Sequence, residues 1–79
     1  MQVEVKLFAL FRDHLPPKSG PYSCKLELPE GTTIAQVLRD LKIPESIPAI
    51  TLVNGVHRRM DEALQAGDVL SVFPPVAGG

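Results

Sequence analysis

Val3, Val5 and Leu7 alternate with Gln2, Glu4 and Lys6 near the start of the chain, the two-residue period of a strand that buries one face. Residues 9–15 break that period and predict an irregular or briefly helical segment. Pro16, Pro17, Gly20 and Pro21 then enforce a loop. Alternation resumes with Tyr22, Cys24, Leu26 and Leu28 on one face and Ser23, Lys25 and Glu27 on the other. Cys24 thus falls in phase with the buried set and is expected in the core.

The period then changes. Pro29, Glu30 and Gly31 end the second strand, and Thr33 with Gln36 has the spacing of a capping box, in which the threonine hydroxyl and the glutamine side chain each satisfy a free backbone N–H. Ile34, Val37, Leu38 and Leu41 follow at i, i+3, i+4 and i+7, with Gln36, Arg39 and Asp40 between them. This is one apolar stripe on a helix. Pro44 disfavours helical geometry at Ile43, so the helix is expected to end near Lys42.

Residues 50–53 form a short apolar strand whose inward phase is ambiguous, because both faces are apolar. Asn54-Gly55 is a strong two-residue hairpin signal into Val56-His57-Arg58. Residues 60–67 hold Ala63 and Leu64 but are too few for a second packed helix. In the last strand Leu70 and Val72 share one face, and Val69, Ser71 and Phe73 the other.

An order β-β-α-β-β-β with a single helix argues against a βαββαβ plan. It predicts an α+β fold of the β-grasp (ubiquitin-like) type, a mixed sheet of about five strands with one main helix across it. The last strand is expected to return beside the first and to place the tail at an edge of the roll. The expected organisation is a folded domain over 1–75 and a tail over 76–79.

Composition narrows the function. A 79-residue chain buries only about 60–65% of its unfolded surface, enough for a core but little for a deep catalytic pocket. Formal net charge is -1, so the basic excess that phosphate binding requires is missing and no nucleic-acid partner is expected. With no long apolar run and no secretion-type start, no membrane association is expected and the cytoplasm is the default location. The lone Cys24 has no partner for an internal disulfide. His14 and His57 are far apart in sequence, no cluster has metal-ligand spacing, and no glycine-rich loop joins a strand to a helix. Asp61, Glu62 and Asp68 have the placement of turn and capping acids. Arg58-Arg59 is the sole basic doublet, read as a solvated pair beside a turn or as an ionic contact for a partner. An autonomous enzyme is not expected, and neither is a resident metal or cofactor.

The remaining chemistry lies in Pro74-Pro75-Val76-Ala77-Gly78-Gly79. Each proline fixes φ and removes a backbone donor, which ends the strand and starts a directed, extended arm. Four residues beyond Pro75 span roughly 14 Å when extended. Glycines without Cβ atoms can thread a narrow channel and present the α-carboxylate of Gly79 to another protein's active site. Phe73, out of phase with Leu70 and Val72, is expected to be partly exposed and to dock partners.

Leu52-Val53-Asn54-Gly55, Leu64, Gly67-Asp68 and Phe73-Pro74-Pro75-Val76-Ala77-Gly78-Gly79 closely resemble the MoaD/ThiS family of ubiquitin-like sulfur carriers. The likeness follows the element order of the whole chain, and it is greatest to the branch that supplies the small subunit of molybdopterin synthase. The resemblance implies that Gly79 is adenylated by an ATP-using activating enzyme of the E1-like type and then converted to a thiocarboxylate. It also implies transfer of that sulfur, on the large synthase subunit, to a pterin precursor of the molybdenum or tungsten cofactor. Val72-Phe73 replaces the aromatic pair common before Pro-Pro in molybdopterin-type members, and the 43–49 connection is short. Both features bring the chain nearer to the thiazole-forming carriers and to unassigned members of the family. Carrier chemistry for thiamin thiazole or another sulfur pathway, ubiquitin-like tagging, and a β-grasp interaction module without tail chemistry are the alternatives.

Overall fold

The computed structural model describes residues 1–17 and 19–75. Five strands, β1 (Gln2–Leu7), β2 (Ser23–Glu27), β3 (Ile50–Val53), β4 (Val56–His57) and β5 (Val69–Phe73), form one mixed sheet in the order β2-β1-β5-β3-β4. One α-helix, α1 (Ile34–Asp40), packs on one face. β1 pairs antiparallel with β2 and parallel with β5, whose other edge pairs antiparallel with β3. The chain has the expected β-grasp fold. The final strand does return beside the first, but it lies in the middle of the sheet, so the chain leaves from the end of a central strand and not from an edge strand.

The core forms where the alternations meet the helical stripe. Val3, Val5 and Leu7 from β1 and Leu70 and Val72 from β5 face Ile34, Val37, Leu38 and Leu41. The structure resolves the phase of β3, since Thr51 and Val53 are buried on the helix side while Ile50 and Leu52 are half-buried on the other. Thr51 tolerates that position because its hydroxyl donates to the Arg58 carbonyl at 2.8 Å.

Local signals in the sequence account for the ends of α1. Gln36 N–H donates to Thr33 Oγ1 at 3.2 Å and Thr33 N–H donates to Gln36 Oε1 at 2.9 Å, closing the capping box. The 60–64 segment, irregular as expected, supplies the other acceptors: Ile34 N–H donates to the Glu62 carbonyl and Ala35 N–H to that of Met60. Leu64 is buried beside them. At the far end Lys42 takes φ 62°, and the N–H groups of Lys42 and Ile43 donate to the carbonyls of Arg39 and Leu38. This is a Schellman cap built on lysine in place of the usual glycine, secured by burial of both Ile43 and Leu38.

Residues 9–14 form a 3-10 turn that delivers Phe11, wholly buried, to the core. Asn54 (φ 53°) and Gly55 (φ 82°) are both left-handed, the backbone of a type I′ hairpin turn, as Asn-Gly predicts.

Candidate functional site

The helix-free face of the sheet carries the functional candidates. Strand alternation puts Phe8 just beyond Lys6 on this face, and Phe73 at the matching end of β5. Leu7 pairs with Val72 across the parallel β1–β5 ladder, so Phe8 and Phe73 are the next pair in register. Parallel strands lie about 4.8 Å apart, close to the stacking distance of aromatic rings. Phe8 and Phe73 accordingly stack at 4.3 Å between centroids with 3° between planes. Tyr22 adds a third ring on Phe8, at 5.7 Å and 27°. Ile50 pairs with Phe73 from the β3 side and Leu52 with Ser71. The result is an apolar band across the end of the sheet from which Pro74 and Pro75 depart.

Phe73 is half-buried and outside the core cluster, as the alternation predicts. Tyr22 corrects its assignment to the inward face with Cys24, Leu26 and Leu28: it is 44% exposed and lies on Phe8. It precedes the first residue of β2, so the strand's alternation no longer binds it. Phe8 was missed in the sequence, although it stands as an aromatic at the end of an otherwise polar face of β1. Ile50 and Leu52 could not be assigned from sequence because β3 is apolar on both sides.

Arg58 and Arg59 do not join this band. Arg58 N–H donates to the Thr51 carbonyl, and its guanidinium lies 3.5 Å from Glu62, beside a cavity that also touches Ile34, on the helix side. Arg59 forms two hydrogen bonds to Asp61, at 3.2 and 3.0 Å. Those hydrogen bonds, with the charge attraction behind them, raise the arginine pKa and lower that of the aspartate. The doublet is exposed, and each member is paired with a neighbouring acid. Asp61 and Glu62 act as turn acids, the latter accepting the Arg59 N–H.

Cys24 is half-buried against the core. Desolvation raises its pKa, outweighing a hydrogen bond from Ser19, so the thiol is protonated at neutral pH and is a poor nucleophile. His14 lies against the end of α1, 3.3 Å from the Leu41 carbonyl, whereas His57 is exposed on the edge strand β4. Among the described residues no group of three or more His, Cys, Asp or Glu side chains could hold a metal ion, and no helix is long and apolar enough to cross a membrane. A mostly apolar cavity of about 290 Å³ between α1 and residues 43–49, lined by Leu38, Ile43, Ile47 and Met60 among others, contains no histidine, cysteine or hydroxyl nucleophile. The expected reacting residue Gly79, with Gly78, Ala77 and Val76, lies outside the described residues; Pro74 is half-buried and Pro75 exposed at the root of that segment.

Residues 5–79 match the ThiS family. The chain belongs to the ThiS family. This family groups it with ubiquitin-like carriers and modifiers of the MoaD and small archaeal modifier kind. It is 34% identical over 96 aligned positions to small archaeal modifier protein 3 of Haloferax volcanii, and the alignment covers all of both chains. Among solved structures it is similar to a putative molybdopterin converting factor subunit 1 from Pyrococcus furiosus, with 32% identity, a TM-score of 0.75, and coverage of 95% of this chain and 98% of that one. It shares its fold with a chain in the complex of subunits 1 and 2 of the molybdopterin-converting factor from Helicobacter pylori, at 22% identity and a TM-score of 0.63, with full coverage of both chains.

Proposed function

We propose that this ThiS-family protein is a sulfur carrier that acts through the carboxylate of Gly79 and donates sulfur in molybdopterin biosynthesis in the cytoplasm. The observation that carries this reading is the route of the chain. A central strand, held on both edges, ends at Phe73 on an apolar open face and continues through Pro-Pro toward Gly-Gly. A partner that covers this face meets the root of the tail at the same time.

A carboxylate is a poor electrophile, so the first step must create a leaving group. The Gly79 carboxylate attacks the α-phosphorus of ATP on an E1-like activating enzyme, forming a C–O–P linkage and releasing pyrophosphate. Hydrosulfide then adds to the acyl carbon, AMP departs with the bonding electron pair, and a thiocarboxylate remains. A protein persulfide can supply the same sulfur, provided a thiol gives the two electrons that break the S–S bond. The catalytic groups and the ATP site belong to the partners. The carrier contributes the reacting carboxylate, its reach and the docking face. The large subunit of molybdopterin synthase is the proposed acceptor, and the 32% identity to the Pyrococcus furiosus converting-factor subunit 1 supports it.

The full-length likeness to a small archaeal modifier supports a second reading with the same first step. A lysine ε-amine then captures the adenylate, or a thioester derived from it, and forms an isopeptide bond. Reconstitution separates the two outcomes. Carrier, activating enzyme, ATP and sulfide should give a thiocarboxylate that a molybdopterin synthase large subunit consumes with a pterin precursor. Lysine conjugates without sulfur transfer would favour the modifier, and transfer only to a thiazole synthase would move the carrier to the thiamin branch.

A further inference from the structure

We propose that Tyr22, acting through Phe8, is a positioning residue for the reacting terminus. This rests on the Gly79 reading above and extends it to a residue far from the tail in sequence. Phe73 is the last residue of β5 with lateral support, because Pro74 and Pro75 have no N–H to continue a ladder. Its place is set from two sides, by the cross-strand pair with Ile50 and by the ring of Phe8 at 4.3 Å. Phe8 is itself held at both ends. Its N–H donates to the Val72 carbonyl at 3.1 Å, and its ring contacts Tyr22 as well as Phe73.

The backbone on each side of Tyr22 is fixed. Leu7 N–H donates to the Tyr22 carbonyl at 2.8 Å, and Arg12 Nε donates to the Pro21 carbonyl at 3.3 Å. Tyr22 remains 44% exposed and its ring lies on Phe8, so its consequence lies in what it holds. It backs Phe8, Phe8 backs Phe73, and the prolines inherit their direction from the Phe73 backbone.

Adenylation requires the carboxylate to reach ATP while the body of the carrier is docked. Docking governs KM, and the fraction of docked carriers with the tail seated governs kcat. Loosening the root of the tail therefore lowers kcat at saturating carrier. Tyr22 is two rings from Phe73, so its effect must pass through Phe8.

The test is ATP–pyrophosphate exchange by the activating enzyme, with kcat and KM measured for the carrier. Tyr22→Ala should lower kcat about two- to tenfold, the range for losing an aromatic pair, whatever rise in KM follows from its place in the docking band; Tyr22→Phe should retain full turnover. In a Phe8→Leu background Tyr22→Ala should have no further effect, since coupled residues are not additive. Hydrogen exchange gives a readout that needs no enzyme. Tyr22→Ala should speed exchange of the Phe8 amide and leave that of Leu64, bonded to the Thr32 carbonyl, unchanged. A change in KM alone, an equal effect in both backgrounds, or unaltered Phe8 exchange would overturn the proposal. A chain lacking Gly79 serves as the control: if it is still adenylated the carrier reading fails, whereas an inactive control beside a fully active Tyr22→Ala rejects only the positioning role.

Discussion

Asn54 and Asp68 hold the hairpin turn to the start of the last strand. Asn54 Nδ2 donates to Asp68 Oδ1 at 3.0 Å, while Asn54 Oδ1 accepts the Val69 N–H at 2.9 Å. The second Asp68 oxygen accepts the Gln65 N–H at 2.8 Å. One aspartate thereby fixes two turns ahead of β5, the strand that carries the tail.

Asn54→Ala should therefore be costly without touching the core. It removes two hydrogen bonds worth about 1 kcal/mol each and leaves at φ 53° an alanine without the short polar side chain that lets asparagine adopt the left-handed region. For a domain of this size a loss of about 2 kcal/mol lowers Tm by roughly 8–16 °C. Asn54→Gly keeps the turn and loses the bonds, so thermal melting should place it between the wild type and Asn54→Ala.

Phe73→Ala should separate docking from stability. The ring lies outside the core, and its stack with Phe8 is worth about 0.5–1.5 kcal/mol, so melting should shift only modestly. A partly exposed aromatic at an interface centre commonly contributes 2 kcal/mol or more, which predicts a fall in affinity for the activating enzyme of about thirtyfold. Calorimetry with purified partners measures it. A folded variant with unchanged affinity would leave recognition to the tail.

Much of this architecture was legible because single local rules acted alone. Thr33 and Gln36 fix the start of α1, Asn54-Gly55 fixes the turn, and the alternation of β1 sets its buried face. Legibility failed where rules competed or ran out. Tyr22 stands one residue before β2, so period-2 logic places it wrongly, and β3 offers two apolar faces because one packs the core and the other joins the open band. Phe11 enters the core from a 3-10 turn too short to show a period. Lys42 takes a left-handed cap that sequence would have assigned to glycine. The Phe8–Phe73 stack is a product of parallel register between residues far apart in the chain. Gly79 was marked by composition and resemblance, which reach beyond the residues that the fold describes.

Cys24 should be slow to alkylate at neutral pH relative to an unfolded thiol, because its folded pKa lies above the 9.0 of an exposed cysteine. The neutral form is favoured in the native state, so the native chain holds its proton at pH values where the unfolded chain has lost it. Its contribution to stability is constant below about pH 9 and declines as pH rises from there through the folded value. Denaturation of wild type and Cys24→Ser across that range should show a steeper alkaline loss for the wild type. Identical profiles would mean that burial does not perturb the thiol.

Removing Gly79 should abolish adenylation and leave melting unchanged, because among the described residues the core ends at Val72 and the sheet at Phe73. A tag that blocks the terminal carboxylate should have the same effect. ATP–pyrophosphate exchange measures both, and normal exchange by the shortened chain would rule out Gly79 as the reacting residue.

Intact-mass analysis of the carrier produced with its native activating enzyme tests the central claim most directly. The account predicts a species heavier by the exchange of one oxygen for one sulfur, mapped by fragmentation to the final peptide and retained in Cys24→Ser. Added sulfur found only on Cys24, or a terminus that remains a plain carboxylate in cells carrying out sulfur transfer, would contradict it.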